Sequence, residues 1–193
     1  KRQMKNKYTV GVVIPTLNPD QIFEQNLEII NSEKFKILII DSNSSKDVES
    51  IAKKNNAIFV KENNFNHGST REKARKILKT DIVIFMTQDA KLLSEQSIFN
   101  LIQPIIDGEV SVTYGRQIPV ENADLLESFP VNFNYPKKSN IRSLDDIKEY
   151  GVGIFFCSDV FSAYLNKDLD SVGGFDHILT GEDYFMCYKL LLS

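Results

Sequence analysis

Phe35-Lys36-Ile37-Leu38-Ile39-Ile40-Asp41-Ser42-Asn43-Ser44-Ser45 decides the fold class of this chain. The run is apolar without alternation, so a strand over Phe35–Ile40 has both faces covered, and Asp41 ends it. The hydroxyl and amide residues Ser42–Ser45 then suit the start of a helix from about Lys46 to Asn55. The same succession recurs on either side. Upstream, Tyr8–Pro15 is a second β-rich run; Asn18-Pro19-Asp20 follows as a helix-start signal, with Ile22, Phe23, Leu27 and Ile30 at helical spacing. Downstream come a short strand over Ala57–Val60, a helix over Thr70–Lys79 and a buried strand over Ile82–Met86. Buried strands separated by helices predict an α/β fold, a mainly parallel central sheet flanked by helices on both faces. Ligands of such sheets bind beyond the carboxyl ends of the strands, which directs attention to Thr16, Asp41 and Thr87-Gln88-Asp89-Ala90.

The second half is less regular. Ile98–Ile106 reads as a helix and Val110–Gly115 as a strand, whereas Glu121–Tyr150 is polar, aromatic and Pro-containing with weak helix signals. Phe155–Tyr164 is apolar and strand-like. Gly173-Gly174-Phe175 makes a turn before an amphipathic helix over Glu182–Leu192. No internal repeat, low-complexity tract or domain linker is evident, and 193 residues suit one domain with a substantial core.

Hydrophobic residues make up 42% and charged residues 25% of the chain, and the formal net charge is −3. That balance provides no broad cationic field for nucleic acid, so an anionic ligand needs local cations or a metal ion. Two cysteines, Cys157 and Cys187, form neither a disulfide framework nor a metal cluster and read as reduced, buried thiols. No apolar run approaches the roughly 20 residues of a membrane span. The basic stretch Lys1–Lys7 has no hydrophobic signal region behind it. The expected location is the cytoplasm, with membrane attachment only at a surface or through sequence beyond the chain.

Four clusters can carry chemistry, and each has a plain structural alternative. Asp41, at a strand end, can accept hydrogen bonds from a base or ribose; Asp, Ser and Asn are also ordinary turn residues. In Asn66-His67-Gly68-Ser69-Thr70-Arg71, Gly68 permits close backbone approach and Ser69 or Thr70 can cap a helix whose start attracts anions. Arg71 and Arg75 share a face and could aim two guanidinium groups at a nucleotide, with Ala74, Ile77 and Leu78 toward the core; a surface helix with scattered basic residues is the bland reading. Asp89 can hold Mg2+ or Mn2+ beside substrate phosphates, or simply terminate its strand. Glu182 and Asp183 either satisfy a helix dipole or include a general base placed by the glycine turn before them.

The order of these clusters, Ile14-Pro15-Thr16, Asp41-Ser42-Asn43-Ser44, His67-Gly68-Ser69-Thr70-Arg71, Thr87-Gln88-Asp89-Ala90, Gly173-Gly174-Phe175-Asp176 and Glu182-Asp183, closely resembles family 2 glycosyltransferases of the GT-A fold. The likeness runs from about Tyr8 to Leu192. Within the family, Phe65–Arg71 and Thr87–Ala90 are similar to the bacterial rhamnosyltransferase subgroup. Most members carry Asp-x-Asp where this chain has Gln88-Asp89-Ala90, which leaves one metal-binding carboxylate.

The resemblance implies a GT-A domain spanning 1–193, with a nucleotide-binding half over about 8–90 and an acceptor-side half over about 91–193. Pro15, Thr16, Asp41, Asn43, His67, Gly68, Arg71 and Gln88 would line the donor nucleotide site. Asp89 would bind Mg2+ or Mn2+ bridging the two phosphates, Asp183 would be the general base, and Glu182 its neighbour orienting the helix start or the acceptor. Phe155–Tyr164 would flank the acceptor. The implied reaction is inverting transfer of a sugar, such as L-rhamnose, from a dTDP- or UDP-linked donor to a saccharide acceptor, lipid-linked in cell-surface polysaccharide or O-antigen synthesis. A chain ending just after Asp183 would hold the donor pocket, metal ligand and base while lacking acceptor-side and membrane-contacting elements, and would work at the inner membrane face. Two rivals stand beside this reading. A sugar nucleotidyltransferase would need a Gly-rich basic signature near the first strand, where Pro15-Thr16-Leu17-Asn18-Pro19 stands with no Lys or Arg until Lys34. A non-catalytic or degenerate sugar-nucleotide-binding protein would suit the single acid of the metal motif and a chain that stops at Leu190-Leu191-Leu192-Ser193.

Overall fold

The structure, a computed structural model, describes residues 8–32, 35–119 and 122–193. The basic stretch 1–7, Lys34 and Glu121 fall outside them. The first half is built as the sequence predicts: β1 (Val10–Thr16), α1 (Gln21–Asn31), β2 (Lys36–Asp41), α2 (Val48–Lys54), β3 (Ile58–Lys61), α3 (His67–Leu78) and β4 (Ile82–Met86). Then come α4 (Glu95–Ile106), β5 (Val112–Tyr114), α5 (Leu125–Asn134), α6 (Ile147–Tyr150), β6 (Phe161–Leu165), α7 (Asn166–Ser171) and α8 (Glu182–Leu191). The strands lie in the order β3-β2-β1-β4-β6-β5. All pairings among β3, β2, β1 and β4 are parallel, and β6 runs antiparallel to both β4 and β5.

Helices cover both faces, which is why the strands are apolar throughout. Val12, Ile14, Ile37, Ile39 and Ile84 face α1, α2 and α4 through Phe23, Leu27, Ala52, Ile98 and Ile102. Val13, Leu38, Ile40, Val83 and Phe85 face Ala74 and Leu78 of α3, Leu169 of α7 and Met186 of α8. This is the mainly parallel α/β arrangement that the resemblance implied.

Four local expectations are corrected. The helix expected over Thr70–Lys79 starts at His67, because the Asn66 side chain, rather than Ser69 or Thr70, accepts the Ser69 N–H at 3.1 Å. Ile77 on that helix is exposed, while Ala74 and Leu78 are buried. The strand-like stretch Phe155–Tyr164 is divided: Gly151–Phe155 forms a 3-10 turn and only Phe161–Leu165 enters the sheet. Within Glu121–Tyr150 lies the ten-residue α5, whose Leu125, Leu126, Phe129 and Phe133 point to solvent. Its apolar face does not track the core, so helical periodicity gave no guide to it.

Candidate active site

The ends of β1, β2 and β4 are laced together by side chains. Asp41 is buried and accepts from Thr16 Oγ1 at 2.8 Å, from the Ser44 N–H at 2.9 Å and from the Ser44 hydroxyl. Asn18 Oδ1 accepts from the Ser45 N–H at 2.8 Å and the Ser45 hydroxyl at 2.9 Å, which ties the β1 loop to the β2 loop. Asn43 takes the left-handed conformation, φ 64°, that lets this turn close, as Asn does more readily than most residues. Gln88 clamps the same loop from β4: its Oε1 accepts the Leu17 N–H at 2.8 Å and its Nε2 donates to the Leu17 carbonyl at 3.0 Å. Thr16, Asp41 and Gln88 therefore hold one another's loops, and Pro15, the β1 partner of Ile40, lies in the same row.

Asp89 sits in a turn closed by the Ala90 N–H on the Thr87 carbonyl. Buried Asn26 of α1 pins the following residues, donating to the Ala90 carbonyl at 2.6 Å and accepting from the Leu92 N–H at 3.0 Å. The Asp89 carboxylate itself is exposed and has no hydrogen bond or ion pair to the described residues. Among those residues no group of three His, Cys, Asp or Glu is gathered for a metal. A single unengaged carboxylate in a fixed turn fits a divalent cation shared with ligand phosphates and does not fit an all-protein cage.

The second half of the site is a cleft of about 570 Å³ lined by His67 and Arg71 of α3, Thr87, residues 156–160, Pro130, Val131 and Asn134 of α5, and Gly181–Tyr184. The Thr87 Oγ1 in this wall is buried without a hydrogen-bond partner among the described residues. The start of α8 faces the cleft from Gly181, a left-handed residue at φ 77°. Asp183, half-buried, offers Oδ2 to the Asp159 N–H at 3.2 Å and Oδ1 to the Tyr184 N–H at 2.8 Å. Glu182 is turned inward: its Oε1 lies 2.8 Å from Arg71 Nη1 and 3.8 Å from His67 Nδ1.

Arg71 is 4% exposed, and its charge is already matched. Besides Glu182 it meets Asp159, with Nε 2.8 Å from Oδ2, and it donates to the His67 carbonyl at 3.1 Å. The Nε–Oδ2 contact is Coulombic rather than an aligned hydrogen bond, for neither atom has a hydrogen-bond partner among the described residues. Arg75, expected beside Arg71 at a ligand, turns away and is buried, donating to Glu72 at 2.6 and 2.7 Å and to Asp170 at 2.9 Å. Gly68 is likewise occupied by protein: a Cβ there would lie 1.9 Å from the Asp176 carbonyl oxygen, where α3 packs on the loop leading to α8.

Asp159 is the residue that sequence reasoning missed. It is 2% exposed, and Oδ1 accepts from the Ser162 hydroxyl at 2.5 Å and the Tyr164 hydroxyl at 2.8 Å. Burial pushes it up from its ordinary 3.8 to about 6, Arg71 and the two hydroxyls pull it back, and the Asp183 carboxylate adds to the rise. A lone carboxylate inside the apolar stretch 155–164 was the available signal, since a buried charge needs a reason. Burial also pushes the Cys157 thiol well up and that of Cys187 to about 11; both are free and unreactive.

A family model for glycosyl transferase family 2 matches residues 11–173. The O-antigen chain rhamnosyltransferase RfbN of Salmonella typhimurium is 35% identical over 190 residues, a match covering 94% of this chain and 60% of that protein. The O-antigen chain rhamnosyltransferase WbaN of Salmonella anatum is 36% identical over 160 residues, covering 81% and 51%. The chain thus spans between half and two thirds of the length of these relatives. In fold it is similar to the mannosyltransferase PcManGT from Pyrobaculum calidifontis, solved in complex with GDP-Man and Mn2+: TM-score 0.69 at 17% identity, covering 95% of this chain and 52% of that one.

Proposed function

Because the chain belongs to glycosyl transferase family 2, we propose that it serves inverting transfer of a sugar from a nucleoside-diphosphate donor to a saccharide hydroxyl, with Asp183 as general base. The observation that carries this reading is the state of Asp183: a carboxylate in the cleft wall, oriented by two backbone N–H groups and bonded to no cation. An attacking hydroxyl must lose its proton as the bond to the anomeric carbon forms, and a positioned carboxylate takes it. Glu182 is paired with Arg71 and is not free for that task. Direct displacement by a hydroxyl that a single base deprotonates inverts the configuration at the anomeric carbon.

The row Pro15, Thr16, Asp41, Asn43 and Gln88 is the proposed nucleotide floor, with His67, half-exposed at the cleft, toward the diphosphate. Asp41 and Gln88 act there chiefly by shaping the loops, since their polar atoms are already bonded. Asp89 would hold Mg2+ or Mn2+ together with the donor phosphates, supplying the positive charge that offsets the leaving diphosphate. That task falls to the cation more than the sequence implied, because Arg71 is neutralised by two carboxylates. L-Rhamnose on dTDP as donor, and a lipid-linked saccharide as acceptor in O-antigen assembly, are the finer reading that the RfbN and WbaN likeness supports. Asp183→Asn should lower transfer from dTDP-L-rhamnose to a lipid-linked saccharide by about 10²–10⁴-fold while donor affinity stays within a factor of about two. Undiminished transfer in this variant would remove Asp183 from the role.

A further inference from the structure

We infer that Asp159 is the positioning residue for the base: its buried carboxylate, held by Arg71, Ser162 and Tyr164, fixes the backbone N–H that orients Asp183 at the cleft. The inference rests on the reading of Asp183 given above. Asp159 cannot itself take the proton of an acceptor, being 2% exposed, with Oδ1 accepting two hydroxyls and Oδ2 lying against the Arg71 guanidinium. What it controls is the next carboxylate. Its own N–H donates to Asp183 Oδ2 at 3.2 Å, and its side chain anchors the backbone that presents this N–H.

The two hydroxyl donors, Ser162 and Tyr164, would be satisfied by any acceptor oxygen, including that of an Asn. Only a carboxylate also gives Arg71 a charged partner on the β6 side. Arg71 reaches from there to Glu182, the residue before Asp183, with 2.8 Å at each end. Asp183 is thus held twice, through the Asp159 N–H and through its chain neighbour. Removing the charge of Asp159 frees one arm of Arg71 and loosens both holds. The groups facing Asp159 are Arg71 from α3, Ser162 and Tyr164 from β6, Asp183 from α8, and Cys157 before it in the chain. Its carboxylate is charged above about pH 6 and protonated below. The hold on Arg71 is therefore present above that pH and lost as pH falls through it.

The test compares wild type with Asp159→Asn, using dTDP-L-rhamnose, Mn2+ and a lipid-linked saccharide. The variant should lose kcat by on the order of 10²-fold, the usual consequence of a misplaced catalytic group, with donor Kd unchanged. Wild-type kcat should fall as pH drops through about 6, where Asp159 takes up its proton, and the variant's pH profile should lack that fall. Wild-type kcat with an unmoved profile would overturn the inference. A substrate-free arm separates this from failure of the functional reading: amide hydrogen exchange at residues 159 and 184 should quicken about tenfold or more in Asp159→Asn, with the rest of α8 unmoved. Unchanged exchange overturns the inference even where wild type transfers nothing. Should Asp159→Asn not fold, Ser162→Ala, which removes one donor to the carboxylate, is measured in the same two ways and should move both in the same direction.

Discussion

At Asp159, burial and charge pull in opposite directions. Burying a carboxylate raises its pKa, and the rise from 3.8 to about 6 means that the folded state prefers the protonated form. The stability tied to this proton is fully present below about pH 4 and is lost as pH climbs through about 6. Asn cannot titrate, so the stability of Asp159→Asn relative to wild type should improve from pH 4 to pH 7, each tenfold difference in proton affinity between folded and unfolded chain being worth about 1.4 kcal/mol. Denaturant unfolding across that range reads the difference; a gap that is flat or opposite in slope would contradict the burial argument. Keeping this buried carboxylate ionised at neutral pH works against the fold, and what the charge does for Asp183 through Arg71 gives a reason for it. Asp183 and Glu182 are legible in the sequence, because two acids at a helix start after a glycine turn form a compact local pattern. Asp159, Asn26 and the pairing of Arg71 are not, because their partners lie on other elements: Arg71 meets Asp159 and Glu182 far along the chain, and Asn26 meets Ala90.

At the scale of elements, α3 is the piece that joins the two halves of the site. Its cap, Asn66, sets where the helix starts, and its N-terminal part turns His67 and Arg71 toward the cleft. Gly68 leaves room for the Asp176 carbonyl and donates its N–H to the Ile178 carbonyl at 3.2 Å. The Gly173-Gly174 turn is fixed from the same helix, for Glu72 accepts the Phe175 N–H at 2.9 Å and a Cβ at Gly174 would lie 2.4 Å from its Oε2. Gly68→Ala would drive a methyl group into backbone and should cost about 1–3 kcal/mol in denaturant unfolding. A change within about 0.5 kcal/mol, the range of an innocuous surface substitution, would show that the α3–loop contact is loose. The sequence points to a later start for α3 because Ser69 and Thr70 look like caps and His67-Gly68 is a weak helix opening. The α5 helix is hidden by Pro130 and by an apolar face turned outward, yet that helix supplies a wall of the cleft.

Over the whole molecule, six strands and helices on both faces bring the carboxyl ends of β1, β2 and β4 to one edge. The cleft opens beside it, between α5 and the start of α8. The parallel part of this sheet is readable because strands covered on both faces have no polar alternation. The antiparallel entry of β6 between β4 and β5 is not, since pairing direction depends on partners distant in sequence. Among the described residues no helix is long and apolar enough to cross a membrane.

Sugar-nucleotide binding at the strand ends is the premise on which base, metal and acceptor all depend, and thermal unfolding with dTDP-, UDP- and GDP-sugars, with and without Mn2+, tests it most directly. Ligand at a hundredfold excess over Kd stabilises by about 2.7 kcal/mol, which for a chain of this size is a rise of about 5–10 °C in Tm. The expected result is such a rise with a dTDP-sugar in Mn2+, with its metal-dependent part lost in Asp89→Ala and retained in Asp183→Asn. No rise with any of the three nucleotide classes would contradict it.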